Sequence, residues 1–240
     1  MEQMKKDLLT VRTVVRSYGD GANTVAALDG VDLSVRAGEF AALVGPSGSG
    51  KTTLLNLIGA LDQPDSGEVS VDGENLKTLT PARRSALRLH KLGFVFQSFN
   101  LIPVLSALEN VEYVLQLQKR PAAERQERAK AMLDAVGLAQ HMHRRPDELS
   151  GGQQQRVAVA RALVGQPLLV LADEPTANLD SDTGEVLLQT MQRLNRELGT
   201  TFLFSTHDPM VMRHARRIVR MQDGKITEDS AHDVAQALRT

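Results

Sequence analysis

The glycine-rich segment GPSGSGKT, residues 45–52, limits the folds that this chain can adopt. It follows the apolar run EFAALV and precedes KTTLLNLIGAL, in which Leu54, Ile58 and Leu61 recur on one face of a predicted helix. The pattern G-x-x-x-x-G-K-[ST] between a strand and a helix is typical of a loop that binds nucleotide phosphates. An ordinary glycine-rich turn would need neither the lysine nor the threonine. The sequence therefore predicts a strand, a phosphate-binding loop and a helix, in that order.

The chemistry of phosphate binding explains the residue types in this loop. Phosphate oxygens need several donors close together, and glycines let the backbone curl so that successive N–H groups point inward. The following helix adds its N-terminal amides and its dipole. We expect Lys51 to reach the β- and γ-phosphates, the Thr52 hydroxyl to ligate Mg²⁺, and Thr53 to contact a phosphate. The predicted ATP-binding residues of this segment are Gly45, Ser47, Gly48, Ser49, Gly50, Lys51, Thr52 and Thr53.

Strand patterns alternate with helical patterns along the rest of the chain. Short β-type runs come first, namely LLTVRTVV, VDLSVRAG and GEVSVDG. Between about Thr80 and Arg145 the residue periodicity is mostly helical, and the strand patterns PLLVLADE, TTFLFST and RRIVRMQDGKI follow it. Strands alternating with helices predict a mainly parallel α/β sheet, here of the P-loop NTPase class, with the helical middle as an inserted subdomain.

Two acidic residues end the apolar run LLVLADEP. The carboxyl ends of parallel strands form the edge at which ligands bind, so Asp173 and Glu174 are expected near the phosphate loop. Asp173 is the predicted partner of Mg²⁺, and Glu174 is a candidate to polarise the water that attacks the γ-phosphorus. On its own, an Asp-Glu pair before a proline is equally consistent with a surface turn. The phosphate loop favours the catalytic interpretation.

A second glycine loop, LSGGQQQR at residues 149–156, precedes another helical pattern. Ser150, Gly151 and Gly152 would place a hydroxyl and bare amides at a helix N-terminus, which makes a second anion site. The first loop surrounds its own ATP on one side, so we expect the second loop to serve the ATP of another copy in a two-fold dimer. The alternative is that Ser150 only caps the helix, a role that would not require two glycines after it.

Composition and charge exclude other kinds of site. The chain has no cysteine, which excludes disulfides, thiolate metal sites and a cysteine nucleophile. Its formal net charge of -1 provides no overall field for nucleic acid, and no nucleic-acid partner is expected. No apolar run reaches the ~20 residues of a membrane span, and the start MEQMKKDLLT does not look like a secretory signal. The expected location is the cytoplasm, with any membrane span supplied by another chain.

The segments GPSGSGKT, LSGGQQQR and LLVLADEP together resemble the motifs of the nucleotide-binding subunit of an ATP-binding cassette (ABC) transporter. The motifs occur in the same order as in that family, and the resemblance covers nearly the whole chain. The resemblance implies one nucleotide-binding domain over residues 1–240, with an ATP-binding core at about 1–97 and 165–240 and a helical subdomain at about 98–164. It also implies a RecA-like sheet core, an N-terminal antiparallel β subdomain, and a Mg²⁺-dependent ATPase activity.

The resemblance also assigns roles to individual residues. Tyr18 matches the aromatic residue that stacks on adenine, although alone it would be taken for a half-exposed strand tyrosine. Gln97, in GFVFQSFN, matches a mobile glutamine that touches Mg²⁺ and faces the membrane subunits. His207, in FSTHD, matches a histidine that holds the γ-phosphate and positions Glu174, although alone a surface or capping role would be favoured. The implied catalytic residues are Glu174, His207 and Lys51; the metal residues are Thr52, Gln97 and Asp173; and the residues that contact the partner copy's ATP are Ser150, Gly151, Gly152, Gln153 and Asp180.

The branch of the family follows from two longer segments. GFVFQSFNLIPVLSALENVE and RRPDELSGGQQQRVAVARAL are similar to the lipoprotein-release and macrolide-efflux branch. That similarity implies a homodimer of this chain bound to integral membrane permease subunits at the cytoplasmic face of the inner membrane. Phe99, Leu101, Ile102 and Leu105 would line the groove that receives the permease, with simple core packing as the alternative.

Two other functions are open to a chain with these motifs. A soluble ABC ATPase acting on ribosomes or DNA is one, but such proteins usually carry two cassettes or a long coiled coil within the cassette. This chain carries one cassette, and the spacing from Gln97 to Ser150 is too short for a coiled coil. The other function is that of a P-loop kinase or GTPase. The presence of Asp173 and Glu174 together with the second glycine loop, residues 149–156, argues against it. The transporter interpretation is therefore favoured.

Overall fold

Two β-sheets with helices around them organise residues 7–19 and 24–230, the part of the chain that the computed structural model describes. The strands are β1 (Asp7–Tyr18), β2 (Val25–Arg36), β3 (Phe40–Val44), β4 (Ser66–Val71), β5 (Glu74–Asn75), β6 (Leu92–Val95), β7 (Leu169–Asp173), β8 (Thr201–Thr206), β9 (Arg217–Gln222) and β10 (Lys225–Asp229). The helices are α1 (Lys51–Ile58), α2 (Pro81–Lys91), α3 (Ala107–Leu117), α4 (Ala122–Ala135), α5 (Gly151–Leu163), α6 (Ser181–Leu198) and α7 (Pro209–His214).

The larger sheet has six strands in the order β10-β9-β3-β8-β7-β6. Strand β3 pairs in parallel with β8 and β9, and β7 pairs in parallel with β8 and β6, whereas β10 is antiparallel to β9. Parallel strands end at the same edge of a sheet, so the segments that follow β3, β8, β7 and β6 lie side by side. This edge is where the predicted site residues come together.

The smaller sheet is antiparallel, in the order β2-β1-β4-β5. Its buried face and α1 pack on one face of the larger sheet, and the core between them includes Val11, Leu28, Leu54 and Ile58. Within β3, Ala41 and Leu43 belong to this core, while Phe40, Ala42 and Val44 belong to the core on the opposite face. The five-residue strand is buried on both faces, which explains why its sequence is continuously apolar.

The opposite face of the larger sheet is covered by α3, α5, α6 and α7. Phe40 lies with its ring centroid 5.4 Å from that of Phe202 and 4.6 Å from that of Phe204. Helix α3 begins at a capping box in which Ser106 and Glu109 exchange hydrogen bonds with each other's backbone. Helices α3, α4 and α5 lie within the predicted inserted segment, and the division of the chain at residues 97 and 165 remains a prediction.

The predicted extent of the first helix is wrong. Helix α1 ends at Ile58, and Ala60 has a φ of 53°, so the chain has left the helix before Leu61. Leu54 and Ile58 are fully buried as expected, but Leu61 is 51% exposed. The spacing of the three residues therefore did not define a single helical face.

Neither a membrane span nor a secretory signal was expected from the sequence. Among the described residues, none of the helices combines the length and the apolar character needed to cross a membrane. The first six residues, in which the sequence predicts no secretory signal, lie outside the described residues.

Candidate active site

A cavity of about 570 Å³ opens at the carboxyl edge of the larger sheet. Eleven of the predicted site residues line it, and they come from segments far apart in the sequence. Gly45 and Asp173 are not among the lining residues, but they contact Lys51 and Thr52, which are. The cavity residues are Tyr18, Ala27, Ser47, Gly48, Ser49, Gly50, Lys51, Thr52, Thr53, Gln97, Glu174, Ala177 and His207.

The glycine-rich loop forms the floor of the cavity. Gly50 is the N-cap of α1 with a φ of 98°, and a Cβ there would lie 2.4 Å from the carbonyl oxygen of Ala27. Only glycine therefore fits this position. Lys51 is buried, and its Nζ donates to the carbonyl oxygens of Gly45 at 2.8 Å and Pro46 at 3.0 Å. The first turn of α1 contains no acidic residue, so bare amides and an ammonium group face the cavity together.

Oxygen atoms suited to ligate Mg²⁺ lie at one side of the loop. The Thr52 hydroxyl is 3.3 Å and 3.2 Å from the two carboxylate oxygens of Asp173, and the Gln97 side chain lines the same cavity. Among residues 7–19 and 24–230 there is no cluster of three or more His, Cys, Asp or Glu that would hold a metal ion. Mg²⁺ at nucleotide sites takes few protein ligands and completes its shell with phosphate oxygens and water. The hydroxyl, carboxylate and amide oxygens present here fit that ion.

Glu174 occupies a strained turn directly after β7. Its φ is 44°, a value that non-glycine residues rarely adopt and that costs about 1–3 kcal/mol. Its N–H donates to the Ser205 carbonyl at 2.9 Å, which fixes the backbone. Its Oε2 accepts from Thr206 Oγ1 at 3.1 Å, and its Oε1 lies 2.7 Å from His207 Nδ1. The carboxylate is thus held at the cavity wall by two residues from the neighbouring strand end.

Tyr18 is the last residue of β1 and also lines the cavity. Its hydroxyl donates to Asp62 Oδ2 at 3.0 Å, and the guanidinium carbon of Arg16 lies 4.8 Å from its ring centroid. A hydrogen bond from Arg16 to Asp65, and another with Tyr18, raise the pKa of Arg16. These contacts hold the exposed Tyr18 ring in place at the cavity.

Gln97 lies in a segment that other side chains hold by its backbone. The Asn178 side chain donates to the Gln97 carbonyl at 2.9 Å. Arg161, on α5, donates to the carbonyls of Phe99 and Asn100, both of which have positive φ. Burial lowers the pKa of Arg161. The Gln97 side chain itself is exposed, whereas its backbone carbonyl is held by Asn178.

The residues predicted to contact a partner's ATP do not line this cavity. Ser150 is the N-cap of α5, where its hydroxyl accepts from the Gln153 N–H and the Gln153 side chain returns a bond. Asp180 is the N-cap of α6, and bonds from the backbone N–H and hydroxyl of Thr183 lower its pKa. Both side chains are exposed to solvent. Ser150, Gly151, Gln153 and Asp180 therefore lie outside the ATP cavity with their side chains or backbone at least partly exposed, whereas Gly152 is buried.

The glycines after Ser150 have different surroundings. A Cβ on Gly152 would lie 2.2 Å from Thr183 Cγ2, whereas the nearest atoms to a Cβ on Gly151 are 3.7 Å away. The start of α5 therefore packs against the start of α6 at a distance that only glycine permits. We expected that a Ser150 that only caps the helix would not require two glycines after it. That expectation is wrong, because Ser150 does cap α5 and Gly152 is needed for packing against Thr183.

We expect Gly152→Ala to lower the free energy of unfolding by about 1–3 kcal/mol because the added methyl group overlaps Thr183. Gly151→Ala is the matched control, and it should be neutral or stabilising by up to about 1 kcal/mol through helix propensity. Thr183→Ser removes the clashing Cγ2 and keeps the hydroxyl that bonds Asp180, so it should rescue Gly152→Ala. Chemical denaturation measures all three effects. Equal stability of the two alanine variants would disprove the packing role.

Several residues at the site were not predicted from the sequence. Thr206 holds the Glu174 carboxylate and also accepts from the Asp208 N–H, and Asn178 holds Gln97. A signal in the sequence could have identified Thr206 as a site residue, because it is the last residue of the strand before His207. Asn178 and the two cavity alanines have none, since their contacts depend on how distant segments meet.

Comparison with known proteins places these features in one family. The model of the family described as "ABC transporter" matches residues 28–177. The chain is 50% identical over 226 residues to the macrolide export ATP-binding/permease protein MacB of Syntrophobacter fumaroxidans. The aligned region covers 93% of this chain and 32% of that protein. It spans about a third of the length of the curated macrolide-export relatives it matches.

Solved structures give the same result. A dimeric structure of an ATP-binding cassette from Methanocaldococcus jannaschii, in a post-hydrolysis state bound to ADP and Pi, matches with a TM-score of 0.85 and 44% identity. It covers 92% of this chain and 97% of that one. A cassette from Clostridium perfringens that is part of an ABC transporter complex matches with a TM-score of 0.86 and 27% identity, over 98% of this chain and 94% of that one.

Proposed function

This chain belongs to the ABC transporter family, and from that premise we propose that two copies of it close on two Mg-ATP molecules, hydrolyse them, and drive separate membrane permease subunits. The observation that carries the proposal is the convergence of Lys51, Glu174 and His207 on one cavity. They follow β3, β7 and β8, which are neighbours in the sheet. This arrangement supplies a phosphate cradle, a base and a partner for that base.

Hydrolysis uses these groups in defined roles. Lys51 exchanges its bonds to the loop carbonyls for bonds to the β- and γ-phosphates, and the loop amides hold the remaining phosphate oxygens. Glu174 accepts a proton from the attacking water as the water oxygen bonds the γ-phosphorus and the bond to ADP breaks. His207, 2.7 Å from the carboxylate, positions it and then contacts the γ-phosphate. Mg²⁺, held by Thr52, Gln97 and Asp173, would neutralise charge on the phosphates.

The two-fold dimer follows from the separation of the two anion-binding loops. Within one chain the Ser150 loop does not line the ATP cavity, yet it presents an exposed hydroxyl and helix N-terminal amides. In a two-fold dimer each Ser150 loop faces the phosphate loop of the other copy, so ATP bridges the two chains. The dimer of the Methanocaldococcus jannaschii cassette supports this arrangement. Closure of the dimer then depends on nucleotide through ordinary binding linkage.

A groove of about 370 Å³ provides a site for the permease. It lies between α2, β6 and α5, and its lining combines apolar side chains with three basic ones and includes no acidic residue. The predicted Phe99, Leu101, Ile102 and Leu105 are not among its lining residues, and Leu101 instead packs against the core. The groove residues that matter here are Leu61, Leu89, Phe94, Val114, Arg88, His90 and Arg161.

The partner that fits this groove is a short apolar segment with an acidic residue. Arg161 lines the groove and also donates to the carbonyls of Phe99 and Asn100, so a segment seated there contacts a side chain that anchors the backbone just after Gln97. The chain would thereby lie at the cytoplasmic face of the inner membrane, held there by its permease. The ATP-binding/permease names of the macrolide-export relatives support a permease partner.

Leu61→Glu is expected to abolish co-purification of the permease with the tagged chain from gently solubilised membranes. Leu61 is 51% exposed in the groove, and a carboxylate there repels an acidic apolar partner. Val186→Glu, at a 52% exposed position on α6, is the matched control and should retain the partner. Mass spectrometry identifies what is recovered. Recovery of ribosomes or DNA-bound proteins, or equal recovery of a membrane protein by both variants, would contradict the proposal.

A further inference from the structure

Gln155 is a buried amide near the start of α5, just before an apolar run. It lies on α5, is 0% exposed, and is followed by Val157, Ala158, Val159 and Ala160, which are also fully buried. A primary amide in such a position is costly unless its polar atoms are hydrogen-bonded. Its neighbour Gln154 is only partly buried and bonds locally to the Leu149 carbonyl.

The Gln155 amide nitrogen reaches two loops at the ATP cavity. Its Nε2 donates to the Pro175 carbonyl at 2.7 Å and, more weakly, to the Phe96 carbonyl at 3.4 Å. Pro175 directly follows Glu174, and Phe96 directly precedes Gln97. One side chain of α5 therefore holds the backbone beside both residues.

The oxygen of the Gln155 amide takes no part in these contacts. Gln155 Oε1 is buried and accepts no hydrogen bond from any residue that the structure describes. An apolar side chain of similar length would avoid this unsatisfied oxygen, so packing alone does not account for the glutamine. The two carbonyl contacts do, because the turn at Glu174 is strained and needs neighbours that fix it.

We propose that Gln155 is a positioning residue for ATP hydrolysis, which aligns Glu174 and Gln97 with the helix that begins at the Ser150 loop. Because Ser150 and Gln155 lie on the same helix, a displacement of that helix by nucleotide or permease moves the Gln155 amide. The Glu174 turn and the backbone before Gln97 then move with it. The inference rests on the proposed ATPase function and adds a mechanical link between its two anion-binding loops.

The test compares Gln155→Met with Gln154→Met in the full chain. Methionine matches glutamine in length, removes the amide, and also removes the unsatisfied oxygen, so gains and losses in stability offset each other. We expect Gln155→Met to lower kcat by about tenfold or more through misplacement of Glu174, while the KM for ATP stays within about threefold. Gln154→Met should keep the wild-type kcat. Thermal unfolding reports the folded fraction of each variant at the assay temperature.

The inference is overturned if folded Gln155→Met has the kcat of Gln154→Met, or if its loss of activity lies in KM alone. Should Gln155→Met not fold, Gln155→Asn replaces it, because asparagine keeps a buried amide but is one methylene too short to reach Pro175. The same loss of kcat is expected from that variant. Glu174→Gln is assayed in parallel: if it were as active as wild type, the proposed ATPase mechanism would fail, whereas failure of the Gln155 variants alone removes only the positioning role.

Discussion

Glu174→Gln is expected to lower ATP hydrolysis by roughly 10²–10⁴-fold, because a neutral amide does not accept the proton of the attacking water. The substitution preserves the size of the side chain and its bond from Thr206, so the strained turn after β7 is retained. ATP binding is expected to persist because Glu174 is not among the phosphate ligands. Phosphate release measures hydrolysis, and calorimetry measures ATP affinity.

The chain offers a second Glu–His pair as a control for this substitution. Glu185 Oε1 lies 2.9 Å from His214 Nε2, and neither residue lines the ATP cavity. Glu185→Gln removes the same charge from the same kind of pair and should hydrolyse ATP at the wild-type rate. If Glu174→Gln hydrolysed ATP as fast as Glu185→Gln, Glu174 would not be the base.

Lys51→Ala is expected to weaken ATP binding by about tenfold to a hundredfold. A charge-assisted hydrogen bond is worth about 1.5–3 kcal/mol, which corresponds to that range of affinity. Lys51 is buried at the start of α1 with its ammonium group on the loop carbonyls, so it is already in place beside the phosphate site. Isothermal titration calorimetry with Mg-ATP measures the change.

Lys91→Ala is the control for the loss of a lysine. Lys91 pairs with Asp72 and Glu74 away from the cavity, and these hydrogen bonds raise its pKa. ATP affinity should therefore be unaffected in Lys91→Ala. Equal dissociation constants for the two lysine variants would contradict the assignment of residues 45–52 as the phosphate loop.

Much of this fold was predictable because its signals are local. The run EFAALV before GPSGSGKT and the run LLVLADEP are buried parallel strands, β3 and β7, and the predicted alternation of strands and helices is observed. The predicted ABC family and the predicted α/β P-loop fold class are confirmed by the family model and the similar structures. The roles of individual site residues, and the use of Mg²⁺, remain predictions.

The features that were missed depend on contacts between distant segments. Leu61 has the spacing of a helical core residue, but the helix ends at Ile58 and spacing does not mark that end. Gly152 was interpreted only as part of an anion site because nothing local shows that Thr183 lies against it. Gln155 is one of three consecutive glutamines, and only the packing of α5 reveals that it alone is fully buried and bonds the Pro175 carbonyl.

In the proposed mechanism, ATP is bound between two copies of this chain. The most direct test is the mass of Glu174→Gln in solution, measured by light scattering with and without Mg-ATP. We expect twice the monomer mass with Mg-ATP and the monomer mass without it. Adding Ser150→Phe should abolish the dimer, whereas adding Ser106→Ala, which removes the comparable cap of α3, should preserve it. A monomer at saturating Mg-ATP, or a dimer that Ser150→Phe leaves intact, would show that ATP does not bridge two copies through the Ser150 loop.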